Sequence, residues 1–79
     1  MSDPIAFDQE VDARGLNCPL PILKAKKALS GLSSGQVLKV VATDPGSLRD
    51  FQAFSRQTGN EMVGQSEADR TWTFFLKRR

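Results

Sequence analysis

Histidine is absent from this chain of 79 residues, and cysteine occurs once, at Cys18. Without histidine there is no imidazole to act as general base, pH switch or metal ligand. A single cysteine closes no internal disulfide and no zinc cage. Secreted domains of this size normally rely on such staples, so their absence points to a reducing, cytoplasmic home. The start, Met1-Ser2-Asp3-Pro4, has neither the basic residues nor the apolar run of a signal peptide. No stretch approaches the roughly 20 apolar residues of a membrane span.

Hydrophobic residues make up 39% and charged residues 25% of the chain, the mix of one soluble globular domain. Residues 1–79 read as that single domain, with 1–5 a flexible start. So short a chain cannot house both a core and a deep pocket, so its chemistry belongs at the surface. The formal net charge is +2, but it is unevenly spread. Asp3, Asp8, Glu10 and Asp12 fall in the first twelve residues, and the remainder nets +6. On charge alone this is an ordinary lysine-bearing surface, although it also permits an acidic partner or nucleic acid.

The pattern predicts six elements. Residues 6–12 alternate weakly around Phe7 and Val11, as a first strand would. Arg14 to Asn17 form a loop, and Cys18-Pro19-Leu20-Pro21 leads into a helix. On that helix Ile22, Ala25, Ala28, Leu29 and Leu32 share one face, with Lys24, Lys27 and Leu20 opposite and Leu23 between. Gly31 suits a left-handed helix end. Val37 to Ala42 is the strongest strand signal. Asp44 is placed to cap a second helix with Pro45 in its first turn. Leu48, Phe51 and Phe54 form that helix's core stripe, and Gly59 ends it. Two strands follow, Glu61 to Ser66 and Thr71 to Lys77, around a turn at Ala68-Asp69-Arg70, with Trp72, Phe74 and Leu76 on one face. The order βαβαββ predicts a two-layer α/β sandwich: a four-stranded mixed sheet with both helices on one face and the far face partly wet.

Cys18 is the residue with covalent chemistry to offer. It lies just before the first helix, where unpaired amides and the helix dipole favour a thiolate. Such settings lower a thiol pKa from about 8.5 to about 3.5–7.5. Pro19 and Pro21 lack N–H groups, leaving the amides of Leu20 and Ile22 as nearby donors, and they stiffen the turn. A lone cysteine is more often a small buried hydrophobe; the proline-stiffened helix start is what favours reactivity. Without histidine it cannot work as a cysteine protease or acyltransferase, and without a second cysteine it is no dithiol oxidoreductase. Passing sulfane sulfur between thiols suits it, because thiolate attack on sulfur needs no strong general base. A redox-sensing thiol or thioester carrier would use the same nucleophile. A regulatory or RNA-binding module is the alternative of another class. It is disfavoured because the aromatics sit at core spacing rather than among the basic residues.

The run Asp12 to Pro21, with its Cys-Pro-x-Pro segment before a lysine-bearing helix, resembles the TusA (SirA-like) sulfur carrier family. Ala42-Thr43-Asp44-Pro45 followed by Arg49-Asp50-Phe51, and the strand Trp72 to Lys77, extend the resemblance from about residue 7 to the end. The resemblance implies a persulfide on Cys18, supported by the motif residues Pro19, Leu20 and Pro21. It also implies a cysteine desulfurase or rhodanese-type donor and a downstream acceptor protein serving tRNA thiolation, molybdenum cofactor assembly or sulfur oxidation. Many members read Gly-His-Glu-Leu where this chain has Gly59-Asn60-Glu61-Met62. Leu20, Leu23, Lys24 and Lys27 are the candidate docking residues beside the thiol. The reading expects a monomer with no cofactor, no metal, no membrane contact and no direct nucleic-acid contact. Whether such a sulfurtransferase is an enzyme or simply a persulfide relay stays open.

Overall fold

The computed structural model describes residues 5–17 and 19–79. Its elements are β1 (Gln9–Ala13), α1 (Leu20–Ser30), β2 (Val37–Ala42), α2 (Ser47–Thr58), β3 (Glu61–Ala68) and β4 (Thr71–Lys77). The strands lie in the order β1-β2-β4-β3. β1 is parallel to β2, and β4 runs antiparallel to both β2 and β3. β1, β2 and β3 therefore all point one way, and each crossover steps in the same direction across the sheet. With right-handed crossovers that arrangement puts both helices on one face. The thinnest dimension, 18 Å, is one sheet plus one helix layer.

The helix-facing side of the sheet supplies the core. Val11, Ala13, Leu38, Val40, Ala42, Phe74 and Leu76 are buried there. Ala25 and Leu29 reach them from α1, and Phe51 and Phe54 from α2. Phe51 stacks on Phe74 with ring centroids 4.7 Å apart, and Phe54 meets Phe51 edge-on at 6.2 Å. The expected stripes on both helices are thus in place, with Ile22, Ala28, Leu32 and Leu48 packed around the buried residues.

Four local expectations need correction. β1 begins at Gln9, not residue 6. Asp8 both donates its N–H to the Val37 carbonyl and accepts the Val37 N–H on its carboxylate, each at 2.8 Å, which turns the preceding chain away. Phe7 then packs on the far face against Phe75, ring centroids 6.2 Å apart, under the Lys39 ammonium at 5.1 Å. Of the start expected to be flexible, residues 1–4 lie outside the described residues, while Ile5 rests against Gly64.

Gly31 is right-handed, with φ −91° and ψ −2°. The end of α1 needs no left-handed residue. Gly31 and Leu32 bond back three residues to Ala28 and Leu29, and the Arg78 guanidinium donates to the Leu29 carbonyl at 2.9 Å.

Asp44 does not cap α2. Its carbonyl accepts the Ser47 N–H at 2.9 Å, closing a turn through Pro45 and Gly46. Proline favours that turn position, so the helix starts at Ser47 with Gly46 as its N-cap and no side-chain cap. A Cβ at Gly46 would lie 3.4 Å from the Asp44 carboxylate and 3.7 Å from that of Asp50. The Asp44 carboxylate therefore lies beside the helix start without bonding to it. At the other end Gly59 ends the helix, as expected, and does so in the left-handed conformation, φ 80°.

β3 runs to Ala68, two residues beyond expectation, and pairs Ala68 with Thr71. Asp69 and Arg70, with φ of 52° and 60°, form a two-residue turn of the kind that matches strand twist. A bulge between Met62 and Gly64 interrupts the ladder nearer its start.

Candidate functional site

Because β1 and β2 are parallel and each is followed by a helix, both helices start at the same end of the sheet. Ligands of open α/β sheets gather outside the carboxyl ends of such strands. Two loops meet here. Gly15, at φ 79°, donates its N–H to the Thr43 hydroxyl at 2.8 Å, joining the loop before α1 to the loop before α2. At the root of the first loop Arg14 grips Asp12 in a forked pair, Nε to Oδ1 and Nη2 to Oδ2, both at 2.9 Å. The Arg14 backbone N–H adds a bond to the same carboxylate at 3.1 Å. These contacts, the side-chain bond first, pull the Asp12 pKa from 3.8 to about 2 although the group is fully exposed.

α1 begins at Leu20 with Pro19 as N-cap and no side-chain cap, and Pro21 in its first turn is buried. Cys18, immediately before Pro19 in the sequence, lies outside the described residues. The Leu20 N–H, expected to be a free donor near the thiol, is taken by the Asn17 carbonyl at 2.8 Å. The geometry around the helix start is therefore tighter than the motif alone implied.

The candidate docking residues fall together on the outward side of α1. Leu20 is 47% and Leu23 52% exposed, unusual for large hydrophobics in this structure. Lys24 and Lys27 line a shallow groove of about 300 Å³ with Gln9, Ala28 and Gly31, at the β1 edge of the sheet. The Lys24 ammonium also reaches the Asp12 carbonyl at 3.4 Å, linking the groove to the loop.

Asn60, at the position where the family resemblance implies histidine in many members, lies at the opposite end of the molecule. It is 7% exposed. Its Oδ1 accepts the Arg79 N–H at 2.9 Å, its Nδ2 donates to the Thr58 hydroxyl at 3.0 Å, and its carbonyl accepts the Ser55 hydroxyl at 2.6 Å. The length of α2, about 18 Å for twelve residues, separates it from the helix starts. It is a clasp, remote from the loops before the helices.

Thr43 and the Asp12–Arg14 pair were not singled out as site residues in the sequence. The Thr43 bond spans 28 positions and leaves no local signal. The spacing of Asp12 and Arg14 is readable, but nothing in it distinguishes a forked pair from two solvated charges.

The fold is a small two-layer α/β sandwich, and in the sequence the single cysteine stands immediately before the proline-framed start of α1. The family model for sulfurtransferase TusA matches residues 9–78. The chain is 61% identical over 72 residues to the sulfur carrier protein TusA of Allochromatium vinosum, covering 91% of this chain and 95% of that one. It is 40% identical over 79 residues to the sulfur carrier protein TusA of Pseudomonas entomophila, covering 100% of this chain and 98% of that one. The crystal structure of a SirA-like protein from Desulfitobacterium hafniense superposes with a TM-score of 0.79 at 28% identity, covering 89% of this chain and 96% of the other. The chain belongs to the TusA family of sulfur carriers. No helix among the described residues is long and apolar enough to cross a membrane.

Proposed function

We propose that the protein carries sulfane sulfur as a persulfide on Cys18 between a donor and an acceptor protein. The observation that carries this reading is the family match spanning the Cys-Pro-x-Pro segment. The Cys18 thiolate attacks the outer sulfur of a donor persulfide, held by a cysteine desulfurase or a rhodanese-type enzyme. A new S–S bond forms to Cys18, and the donor leaves as its own thiolate. Attack by an acceptor thiolate on the outer sulfur then reverses the process and restores Cys18. Each step exchanges one S–S bond for another, with no net oxidation and no demand for a strong base. That economy fits a chain without histidine.

Presenting one thiol to two proteins calls for an accessible grip. The exposed Leu20 and Leu23 and the flanking Lys24 and Lys27 supply an apolar contact ringed by positive charge, suited to an acidic partner surface. Pro19, Leu20 and Pro21 hold the helix start that presents Cys18. The chain acts as a monomer in a reducing compartment, and its acceptor serves tRNA thiolation, molybdenum cofactor assembly or sulfur oxidation.

The test is intact mass. After incubation with a cysteine desulfurase plus cysteine, or with thiosulfate and a rhodanese, the wild-type chain gains one sulfur atom that reductant removes. Cys18→Ser gains none. A wild-type chain that neither donor loads overturns the reading.

A further inference from the structure

We propose that the outer edge of β3 is a second docking site, which takes an extended segment of a partner protein as an added strand. The segment pairs antiparallel to β3 and carries a basic residue and, two positions on, an apolar one. Three features of the molecule carry this.

Among the described residues β3 is an edge strand, paired only with β4. From Gln65 to Ala68 its ladder with Thr71–Phe74 is regular, and all four residues are exposed. Alternate N–H and C=O groups of this stretch point away from β4, which is a template for another strand. Natural edges are commonly blocked by lysine or proline, and β3 contains neither. Its one irregularity, the bulge at Met62/Gly64, lies outside the regular stretch.

Beside that edge lies a cavity of about 190 Å³ between β3 and α2. Leu48, Trp72 and Phe74 form its apolar walls, and Gln65, Ser66 and Glu67 its rim. Gln65 stands opposite Phe74 and Glu67 opposite Trp72, so both face α2. In an added strand, the residues opposite Gln65 and Glu67 lie on this same face, two positions apart. The first sits over the cavity and the second beside a carboxylate. Main-chain bonds give affinity, and the two side chains give selectivity.

Charge decides the occupant. The ionisable residues of β3 are Glu61 and Glu67, both acidic. A second copy pairing through β3 sets no cation opposite Glu67 in any register, and pairing antiparallel about Gly64 or about Glu67 sets carboxylates opposite one another. Like charges directly opposite destabilise a sheet. A basic residue opposite Glu67 is favourable, so the fit is to a different protein. This site lies on the β3 side of the sheet, across from the lysine groove at the β1 edge, and it rests on neither Cys18 nor its sulfur load.

The test uses the full chain and a capped hexapeptide, Thr-Val-Arg-Thr-Leu-Val, whose Arg and Leu stand opposite Glu67 and Gln65 in the antiparallel register. Trp72, the only tryptophan, reports on the cavity by its emission, and amide NMR reports on Gln65–Ala68. The peptide is expected to blue-shift Trp72 and to move the Gln65–Ala68 amides. N-methylating its alternate amides, or replacing its arginine with glutamate, should weaken binding about tenfold or more, and Glu67→Arg should reverse the charge preference. Equal binding by the N-methylated peptide, or amide shifts confined to α1, overturns the proposal. So does the absence of any Trp72 response. Self-association that protects Gln65–Ala68 without peptide assigns the edge to a second copy and overturns it equally.

Discussion

The Gly15 amide and the Thr43 hydroxyl, 2.8 Å apart, join the two loops from which both helices start. The bond couples the two loops, and the first of them leads directly into the Cys-Pro-x-Pro segment. Thr43→Val keeps the shape and removes the acceptor. It should cost about 0.5–1.5 kcal/mol in denaturant unfolding, the net worth of one hydrogen bond, and slow sulfur loading while the fold persists. Unchanged loading with lowered stability would make the bond purely structural.

The Asp12–Arg14 pair gives a pH signature. The folded pKa of about 2 lies below the usual 3.8. The pair's stabilisation is therefore present above about pH 3.8 and is lost as the pH falls toward 2. Solvent screening keeps it small. Carboxyl NMR titration should find Asp12 with the low midpoint, and Arg14→Ala should return it toward 3.8.

Docking through α1 predicts separable kinetic effects. Lys24→Glu with Lys27→Glu should slow donor-to-carrier transfer about tenfold at low salt and flatten its dependence on ionic strength. Leu20→Ser should act on dissociation. Both variants should still react normally with a small thiol reagent. Wild-type transfer rates in both would place the contact elsewhere.

Ser47 is 1% exposed, and its hydroxyl has no hydrogen-bond partner among the described residues. A buried hydroxyl left unpaired is a standing penalty. Ser47→Ala should leave stability unchanged or raise it by up to about 1 kcal/mol. A fall in Tm would reveal a partner for the hydroxyl.

Asn60→Ala should weaken the fold by about 1–3 kcal/mol, because it strands the Arg79 amide and removes one of the bonds to the Thr58 hydroxyl. Sulfur loading per folded molecule should not change. Loading that falls further than the folded fraction would connect this end of the molecule to the chemistry.

The periodic signals carried the architecture. The β-branched, largely apolar run Val37–Ala42 and the Leu48, Phe51, Phe54 spacing are local consequences of burial, and they located β2 and α2. What misled was competition among short-range options. Asp-Pro suits both a helix start and a turn, and here the turn wins because the Asp44 carbonyl closes on Ser47. A glycine after a helix suits a left-handed cap, yet Arg78, 49 positions away, helps satisfy the end of α1. The site followed the same rule. Cys18 and its prolines stand out in sequence, and the exposed leucines and lysines follow from the helical wheel, but the Gly15–Thr43 tie exists only once the chain is folded.

The Asn60 clasp also has a consequence for how the molecule breathes. Around it, Ser55, Thr58 and Arg79 add bonds that lock the end of α2 to the end of β4. At the other pole the loops before the helices are held by short polar contacts at the surface, chiefly Gly15 with Thr43 and Asp12 with Arg14. Opening free energy is therefore graded along the length of α2. In hydrogen exchange, amides near Asn60 and Arg79 should open only with global unfolding. Those of residues 14–17 and 43–46 should exchange through small local excursions. The segment leading to the thiol is thus free to adapt to one protein after another while the rest of the domain stays closed.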